Sequence, residues 1–444
     1  MKWDLDRVAT IAGGTRHGSA VVTGVEVDSR RVVPGDLFVA VRGASLDGHE
    51  FIGAAFHAGA VAALAEPGRL QNGTPGVEVA VPQEALLALA EARRDEFDGR
   101  VVAVTGSSGK TTTKDLIVAA VGPGGHGAPL SFNNEVGVPL TILGCPEGAL
   151  VLVVEVGSRG VGHIAALSPV IRPHVAVITN IGPAHLETFG DLDAVRRAKW
   201  ELVEALEPGG VAVLPAGEPS LARGVAGPTI TFGEEETADV RAVSVMVDDS
   251  GRASFVLEHE ARAVPIRLGV AGRHQAVNAA AAVAAAVAAG IDFDAAARRL
   301  EAAVVSPWRM EVVEARVGTG RVRIVNDAYN ANPASMAAAL ETVAAMPGRH
   351  FAVLGKMHEL GTESPRWHRD VGRLAAGLGF EVLVVGDDPG LGEGAGAGSR
   401  SFADVESAVD HLTSRLRPGD VVLVKASRAA GLESVAAMLG GERP

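Results

Sequence analysis

The sequence has 444 residues, of which 47% are hydrophobic and 21% are charged. A chain of this length exceeds one ordinary core, and a domain size of about 100–200 residues predicts two to four domains. The formal net charge of −13 argues against a nucleic-acid-binding surface, which needs clustered Lys and Arg. The single cysteine, Cys145, excludes an intramolecular disulfide and a cysteine-based zinc site.

The N-terminus indicates neither a signal peptide nor a membrane anchor. Acidic Asp4 and Asp6 lie among the first residues, and no long apolar stretch follows them. The longest apolar run, residues 279–289, is mostly alanine and is too short to span a bilayer. We therefore expect a cytoplasmic protein without membrane insertion, and a monomer as the default state.

The first stretch, residues 1–98, has the pattern of a small α/β domain. Short β-type runs at residues 21–27, 37–41 and 77–81 alternate with helical patterns at residues 51–64 and 83–97. Neither a low-complexity tract nor an internal repeat interrupts it.

The second stretch, residues 99–310, has the pattern of a doubly wound parallel sheet. Buried β-type runs occur at residues 101–104, 150–156, 175–179 and 211–214, separated by helical segments and glycine-rich turns. Residues 240–270 then alternate as antiparallel strands do, with a turn at residues 248–251, before an alanine-rich helix at residues 273–289.

The third stretch, residues 311–444, resembles a smaller Rossmann-like sheet. Its β-type runs lie at residues 322–325, 351–354, 382–385 and 421–424, each followed by a helical pattern. The glycine-rich residues 390–398 indicate a mobile surface loop. The predicted fold class is therefore α/β with three domains: a small N-terminal α/β domain, a central mononucleotide-binding domain and a C-terminal Rossmann-like domain.

A glycine-rich turn directly follows the first buried strand of the second stretch. It consists of Thr105, Gly106, Ser107, Ser108, Gly109, Lys110, Thr111 and Thr112, and a helix pattern begins at its end. Glycines let backbone N–H groups converge on phosphate oxygens, the helix N-terminus adds partial positive charge, and Lys110 can reach the outer phosphates. Thr111 is placed to bind Mg²⁺. Val104 stands where the usual motif has its first glycine, so this is a shorter variant of the phosphate loop.

Three further candidate residues come after this turn in the sequence, two of them at the ends of strands and one within a helix. Glu155 ends one strand and His185 follows the next, so both belong to the edge of the sheet where ligands bind. Lys199 lies in a helical run, where a lysine is ordinarily a solvated surface group. On the residues alone, Glu155 and His185 are candidate metal ligands and Lys199 is not.

The chain resembles the Mur ligases, and within them the MurF type, along essentially its whole length. The N-terminal marks are Asp28-Ser29-Arg30 and Asp47-Gly48-His49. The central marks are the phosphate loop and Asn133-Asn134-Glu135-Val136-Gly137-Val138-Pro139-Leu140-Thr141. The C-terminal marks are Asn326-Asp327-Ala328-Tyr329-Asn330-Ala331-Asn332-Pro333 and residues 425–433.

The resemblance implies an ATP-dependent amide ligase that adds D-alanyl-D-alanine to UDP-N-acetylmuramoyl-tripeptide through an acyl-phosphate. It implies that Thr111 and Glu155 hold one Mg²⁺, and that His185 and a carbamylated Lys199, a CO₂ adduct, serve a second. Lys110, Lys199, His185 and Arg309 are then the catalytic candidates. ATP would contact Asn278 near its base, and Arg309, Asp327 and Tyr329 near its phosphates and ribose.

The same resemblance implies the substrate-binding residues, and two positions depart from the family pattern. The candidates are Ser29, Arg30, Asp47 and His49 for the UDP-muramoyl substrate, with Asn133, Asn134, Asn330 and Asn332 near the joined ends. Ala426 stands where family members often have glycine, and His163 where an acid is common. We assign no catalytic role to His163.

Other functions that use a phosphate loop remain open from the sequence. Another Mur ligase or a folylpolyglutamate synthase would use the same acyl-phosphate chemistry, but the latter begins close to its phosphate loop, whereas here about a hundred residues precede it. A regulatory NTPase or a non-catalytic nucleotide-binding module leaves the residues 326–333 motif unexplained.

Overall fold

The computed structural model describes residues 1–43, 46–183 and 186–440, and in that part of the chain three sheets follow one another. We call them the first, central and third sheets. The α/β fold class and the three-domain architecture expected from the sequence are confirmed. No helix among these residues is long and apolar enough to cross a membrane.

The first sheet has the strand order β2-β7-β6-β5-β4 among the described residues, and only β2 is antiparallel to its neighbour. A separate antiparallel pair joins β1 and β3. The strands are Trp3–Asp4 (β1), Thr15–His17 (β2), Val21–Val22 (β3), Gly24–Glu26 (β4), Asp36–Val39 (β5), Ala62–Ala65 (β6) and Gly76–Glu78 (β7). The helices are Leu5–Ala12 (α1), Ile52–Ala58 (α2) and Pro82–Asp95 (α3).

The helix expected over residues 51–64 is wrong in its second half. Helix α2 ends at Gly59, whose φ of 120° favours glycine, and the following alanine-rich run forms the fully buried strand β6. A short apolar run without alternation fits a buried parallel strand as well as a helix, so composition alone does not separate the two.

The central sheet has the order β16-β15-β14-β13-β12-β11-β8-β10-β9 in the described residues. It is parallel from β9 to β14, and β14 to β16 form the expected antiparallel ribbon. The strands are Arg100–Thr105 (β8), Gly125–Gly127 (β9), Val151–Glu155 (β10), Val175–Ile178 (β11), Val211–Pro215 (β12), Thr229–Gly233 (β13), Val240–Val247 (β14), Arg252–His259 (β15) and Arg262–Ala271 (β16).

Helices cover both faces of the central sheet. They are Lys110–Val121 (α4), Gly137–Leu143 (α5), His163–Ile171 (α6), Leu186–Phe189 (α7), Leu192–Glu204 (α8), Pro219–Ala222 (α9), Gln275–Ala288 (α10) and Phe293–Arg299 (α11). The expected alanine-rich helix is α10, and its alanines are buried against α4 and the sheet. A helix that is apolar all round is a core helix, and alanine lets it approach its neighbours closely.

The third sheet has the order β17-β18-β22-β19-β20-β21 over the described residues, and it is parallel except for β17. The strands are Glu311–Val317 (β17), Gly320–Asn326 (β18), His350–Leu354 (β19), Glu381–Val385 (β20), Arg400–Phe402 (β21) and Val421–Lys425 (β22). The helices are Pro333–Ala344 (α12), Ser364–Gly377 (α13), Pro389–Ala395 (α14), Val405–Arg415 (α15) and Glu433–Leu439 (α16).

The glycine-rich residues 390–398 are not the loop that the sequence suggested, because α14 and a 3-10 turn occupy them. Asp388 caps α14 by accepting from the Leu391 N–H. The glycines allow α14 to lie against α13: a Cβ on Gly394 would stand 2.1 Å from the Arg369 carbonyl oxygen. Gly390 and Gly394 therefore serve close helix packing, since a Cβ on Gly390 would also lie 2.9 Å from the Cβ of His368.

The packing of the central sheet makes one quantitative prediction. Leu152 is fully buried in β10, so Leu152→Ala should lower the free energy of unfolding by about 2–5 kcal/mol through lost burial and a cavity. Urea unfolding followed by circular dichroism measures the change. The control is Leu150→Ala, two residues earlier and 63% exposed, which should change it by less than about 0.5 kcal/mol. Equal losses would contradict this packing.

Candidate active site

The glycine-rich turn between β8 and α4 is held in place by its own close contacts. Gly106 has a φ of 149°, and a Cβ there would lie 1.9 Å from the Thr179 hydroxyl oxygen. Gly109 has a φ of 76°, and its Cβ would lie 2.8 Å from Oδ1 of Asn278. Only glycine fits both positions without displacing a neighbour, so the turn is defined by steric exclusion as well as by conformation.

The segment that follows β11 fastens the two serines of the turn. The Ser107 and Ser108 N–H groups donate to the backbone oxygen and to Oδ1 of Asn180, at 3.1 and 3.0 Å. The Thr179 hydroxyl donates to the Ser108 carbonyl at 2.6 Å. The turn therefore keeps its shape through contacts with the neighbouring parallel strand.

Lys110 begins α4 and folds back over the turn. Its ammonium donates to the Gly106 carbonyl at 2.7 Å. Burial lowers the pKa of this amine, the positive charge of Arg309 lowers it further, and Glu155 opposes both effects. A phosphate anion in the turn would restore the charged form and give the ammonium a stronger acceptor.

A buried cluster surrounds Glu155 at the carboxyl end of β10. One carboxylate oxygen accepts from the Thr111 hydroxyl at 2.7 Å. The other accepts from the Ser131 hydroxyl at 2.6 Å and from the Asn133 amide at 2.8 Å. These contacts bring the phosphate-loop helix, the loop after β9 and the end of β10 to one point.

Arg309 reaches this cluster from the connection between the central and third sheets. Its Nη2 donates to the Thr111 hydroxyl at 2.7 Å, and its guanidinium lies 4.1 Å from the centre of the Tyr329 ring. Its Nε is buried without a hydrogen-bond partner among the described residues. The flanking Trp308 and Met310 both have positive φ, at 59° and 53°, a conformation that side chains rarely adopt. This strained connection aims an incompletely paired guanidinium at the phosphate loop.

The third sheet contributes an acid and a buried lysine at its carboxyl edge. Asp327 follows β18 and accepts from the Met310 N–H at 3.1 Å. Lys425 ends β22 and donates to Asp327 Oδ2 at 2.5 Å and to the Asn330 carbonyl at 2.8 Å. The pair orders the turn that carries Tyr329, and it lies on the opposite wall from the phosphate loop.

These groups line one cavity of about 630 Å³ between the central and third sheets. Its lining includes most of the nucleotide-site residues expected from the sequence: Ser107, Ser108, Gly109, Lys110, Thr111, Thr112, Asn278, Arg309, Asp327 and Tyr329. It also includes Glu155 and four expected substrate residues: Asn133, Asn134, Asn330 and Asn332. Thr105 and Gly106 lie directly behind this wall. The volume is within the usual range of small-molecule sites, about 300–1,000 Å³.

Lys199 is fully buried in α8 rather than being the surface lysine that its helical setting indicates. Its amine donates to the Ser158 hydroxyl at 2.9 Å, and Ser158 lines the cavity. Burial lowers the pKa of Lys199 to about 7, with a smaller contribution from the charge of Lys110. A large fraction of this amine is therefore neutral near neutral pH.

One histidine was expected at the site, His185, and another, His163, was noted only as a departure from the family pattern. His185 lies outside the described residues. His163 is at the start of α6, where its Nδ1 accepts from the Arg159 N–H at 3.3 Å, and it borders the cavity.

Two residues near the start of α10 line the cavity, and one of them, Asn278, lies next to Gly109. Asn278 donates to Gln275 Oε1 at 2.8 Å across one turn of α10. His274 precedes it, and burial lowers the pKa of this imidazole while Asp327 opposes the effect. His274 was missed by the sequence reasoning, although it lies four residues before Asn278.

The expected residues of the first sheet do not line this cavity. Arg30 instead pairs with Asp28 through two hydrogen bonds, at 2.9 and 2.6 Å, and lowers the pKa of that carboxyl. Ser29 lies between them. Asp47 accepts from His49 Nδ1 at 2.5 Å, and this hydrogen bond lowers the pKa of Asp47 to about 2.

His49 is buried and held by its other ring nitrogen. Its Nε2 accepts from the Glu66 N–H at 3.1 Å, which defines the tautomer with the proton on Nδ1. Arg31, which follows the Asp28–Arg30 pair, contacts the loop after β9 of the central sheet. Arg31 lies 4.8 Å from the centre of the Phe132 ring, between Ser131 and Asn133.

Two of the expected asparagines also have local structural roles. Asn134 Oδ1 accepts from the Val136 and Gly137 N–H groups at the start of α5. Asn332 caps α12 in a reciprocal arrangement with Ser335. The sequence reasoning missed Ser131, Ser158 and Arg428, which also line the cavity. Lys425 was noted only as part of a motif, and a lysine ending a buried strand is the signal that could have identified it.

Comparisons with known protein families match most of the chain. The model described as Mur ligase family, catalytic domain, matches residues 21–94. The Mur ligase middle domain matches residues 104–286, and the Mur ligase glutamate ligase domain matches residues 308–428.

Curated relatives match the chain almost from end to end. The UDP-N-acetylmuramoyl-tripeptide--D-alanyl-D-alanine ligase of Mycobacterium tuberculosis is 38% identical, over 94% of this chain and 92% of that protein. The ligases with the same name from Bacillus subtilis and Escherichia coli are 32% and 33% identical, over 98% and 97% of this chain and the same shares of those proteins.

Solved structures agree with these matches. A crystal structure of MurF from Acinetobacter baumannii has a TM-score of 0.86 and 29% identity, covering 99% of both chains. MurF of Thermotoga maritima in complex with ADP has a TM-score of 0.81 and 33% identity, covering 95% of this chain and 98% of that one. The resemblance stated from the motifs is thereby confirmed, and the chain belongs to the Mur ligase family, with relatives of the MurF type along its full length.

Proposed function

We propose that this chain is an ATP-dependent, ADP-forming ligase that adds D-alanyl-D-alanine to UDP-N-acetylmuramoyl-tripeptide in the cytoplasmic stage of peptidoglycan synthesis. The observation that carries the proposal is the cavity that the phosphate loop shares with Arg309, Asp327 and Lys425. A ligase must bring a nucleotide and two further substrates together out of water, and a cavity between two sheets provides that enclosure. We take the protein to act as a monomer.

The central wall of the cavity is the proposed nucleotide site. The start of α4, from Lys110 to Thr112, offers the backbone N–H groups of a helix N-terminus to the phosphates, whereas the Ser107 and Ser108 N–H groups already donate to Asn180. Asn278 lies beside Gly109 on the side proposed for the base. Asp327 and Tyr329 would contact the ribose side, and Arg309 the γ-phosphate.

The residues around Thr111 fit a magnesium ion. Its hydroxyl and the Glu155 carboxylate are oxygen donors 2.7 Å apart, and hard Mg²⁺ prefers such ligands. The described residues contain no group of three or more His, Cys, Asp or Glu that could hold a metal. Mg²⁺ at a phosphate site commonly uses one or two protein carboxylates with water and phosphate oxygens, so Glu155 is sufficient. Bound there, the ion would neutralise charge on the transferring phosphoryl group.

Lys199 is proposed to become a carbamate and, with His185, to serve a second Mg²⁺. Capture of CO₂ requires a neutral amine, and the lowered pKa of Lys199 provides one. The product is an anionic oxygen ligand at the end of a buried side chain. Its neighbour Ser158, which lines the cavity, would orient that group toward the site.

The proposed reaction needs positioning and charge compensation rather than a protein nucleophile. The tripeptide carboxylate attacks the γ-phosphorus of ATP, the bond to ADP breaks, and an acyl-phosphate forms. Lys110 and Arg309 stabilise negative charge on the transferring oxygens. The amine of D-alanyl-D-alanine then attacks the acyl carbon and phosphate leaves, with loss of a proton from the amine.

The three domains would divide the substrates among them. We assign residues 1–98 to the UDP-muramoyl end, with Ser29, Arg30, Asp47 and His49 as contacts, and residues 99–310 to ATP. Residues 311–444 would close over the nucleotide and the dipeptide, with Asn330 and Asn332 near the joined ends. Asn133 and Asn134 would lie near the reacting carboxylate. Closure excludes water, which would otherwise hydrolyse the acyl-phosphate.

Ala426 does not narrow the cavity. Its methyl group is buried, and a Cβ on Gly355 would lie 2.9 Å from it. The methyl group at this position is therefore accommodated beside Gly355, which follows the neighbouring strand β19.

Acceptor dependence tests the function directly. Purified protein with ATP, Mg²⁺ and UDP-N-acetylmuramoyl-tripeptide should release little ADP until D-alanyl-D-alanine is added, and single amino acids should not replace it.

Glu155→Gln should lower kcat about 100-fold or more, because it removes an anionic magnesium ligand worth several kcal/mol in the transition state. Asp248→Asn, in the turn between β14 and β15 and outside the cavity lining, is the control. Steady ADP release without any acceptor would refute the proposal.

Chemical rescue tests the carbamate. Lys199→Ala should abolish ligation, and added short carboxylic acids should restore part of it by supplying the missing anionic oxygen. Lys110→Ala should also abolish ligation, but acids should not rescue it, because that site requires a cation. Absence of rescue in Lys199→Ala would remove the carbamate from the mechanism.

Burial of Lys199 also makes stability depend on pH. Its pKa is about 7 in the folded chain and has its ordinary value, 10.5, in the unfolded chain. Between these values the unfolded state binds the extra proton, so raising the pH stabilises the fold. In CO₂-free buffer, the free energy of unfolding of the wild type should rise from pH 7 to pH 10 relative to Lys199→Met. A difference that stays constant would show that the folded pKa is not lowered.

A further inference from the structure

Two charged residues on the phosphate-loop helix have no part in the proposed chemistry, although they are almost fully buried. Lys114 and Asp115 form an ion pair at 2.6 Å, with side chains 3% and 12% exposed. They follow Thr111 by three and four residues, so all three side chains lie on one face of α4. That face connects Glu155 and Arg309 through the Thr111 hydroxyl.

Lys114 holds the loop that carries Ser131 and Asn133, the two residues that donate hydrogen bonds to one oxygen of the Glu155 carboxylate. Its ammonium donates to the Ala128 carbonyl at 2.5 Å and to the Leu130 carbonyl at 3.1 Å. Leu130 has a φ of 62°, which directs its carbonyl toward the lysine at a conformational cost. Ser131 follows immediately and donates to Glu155. Lys114 therefore determines where the chain enters the Glu155 cluster.

Asp115 holds the connection between the central and third sheets. Its Oδ2 accepts from the Ser306 backbone N–H at 2.7 Å. Three residues later Arg309 donates to Thr111, one helical turn from Asp115 on the same face. The connection thus runs along α4 with one anchor at Asp115 and one at Thr111, and the strained Trp308 and Met310 lie around the second anchor.

A purely structural ion pair is the simpler explanation, and the geometry argues against it. Lys114 binds the segment that leads to Ser131, and Asp115 binds the segment that leads to Arg309. Ser131 then contacts Glu155, Arg309 contacts Thr111, and Thr111 and Glu155 are hydrogen-bonded to each other. A pair that only stabilised α4 would not need to hold two main-chain segments from residues 128–130 and 306.

We infer that Lys114 and Asp115 are positioning residues that tie the loop at residues 128–131 and the connection at residues 306–309 to the phosphate-loop helix, so that Glu155 and Arg309 are presented together to the transferring phosphoryl group. The inference rests on the proposed function. In the described part of the chain, the side-chain hydrogen bonds and the ion pair of these two residues go to residues 128, 130 and 306 and to each other, not to the phosphate turn, so ADP binding should not depend on them, whereas turnover should.

Kinetics separate this role from a structural one. Asp115→Ala should lower kcat per folded molecule about 10- to 100-fold, because a misplacement of about 1 Å at a reacting group costs up to that much. Kd for ADP, which lacks the γ-phosphate assigned to Arg309, should stay within about threefold of wild type. Ser306→Ala should behave as wild type, because Asp115 binds the backbone N–H, which that variant keeps.

Asp420→Ala serves as the matched control for lost stability. Asp420 is also a buried acid that pairs with a cation, Arg349, and accepts a backbone N–H, from Arg417, but it precedes β22 at the edge opposite Lys425. It should lower the melting temperature without changing kcat per folded molecule. Where Asp115→Ala does not fold, Lys114→Met, which keeps the length of the side chain and removes its hydrogen bonds to the Ala128 and Leu130 carbonyls, is measured in the same way.

Two results would overturn the inference. One is a kcat per folded molecule within threefold of wild type, and the other is a Kd for ADP that weakens in step with kcat. Both presuppose that the wild type ligates the dipeptide. If the wild type does not ligate the dipeptide, the proposed function is wrong. The ligation assay of the wild type therefore distinguishes failure of the proposed function from failure of this inference.

Discussion

The approach of three backbone segments around Gly106 and Gly109 is the constraint on which the rest of the site depends. Side-chain atoms of Thr179 and Asn278 occupy the space that a Cβ at these positions would need. The turn is therefore held between the segment after the next parallel strand and α10, and its backbone conformation is set before any ligand arrives. Preorganisation of this kind is how a site stabilises developing charge without reorganising during the reaction.

Cationic side chains gather at this site although the protein as a whole is acidic. The chain has a net charge of −13, yet Lys110, Arg309 and Lys425 converge on one cavity. Burial lowers the pKa of Lys110, Glu155 opposes this effect and the charge of Arg309 adds to it, while the Nε of Arg309 has no hydrogen-bond partner among the described residues. These costs would be offset when a triphosphate with its metal fills the cavity. The fold thus brings three cationic side chains to one cavity inside an acidic protein, with Glu155 and Asp327 beside them.

The phosphate turn, the parallel central sheet, the antiparallel ribbon and the carboxyl-edge position of Glu155 followed from the sequence, because each has a local pattern of glycines or apolar periodicity. Two local expectations failed where tertiary packing decides. Ala62–Ala65 forms a strand because it is enclosed between β5 and β7. Residues 389–395 form a helix that packs against α13, where Gly390 and Gly394 permit the close contact. In both cases the small residues have little secondary-structure propensity of their own, so packing against neighbouring elements determines the conformation.

The sequence by itself determined the fold class, the phosphate turn and the residues that carry charge at strand ends. Only the tertiary structure decided which of those charges meet. Lys199 had the spacing of a surface lysine, and its burial beside Ser158 comes from the packing of α8 against the central sheet. The contact of Arg309 with Thr111 joins residues 198 positions apart. Such contacts have no sequence signature, because pairing distant segments depends on how whole sheets and helices pack rather than on local periodicity.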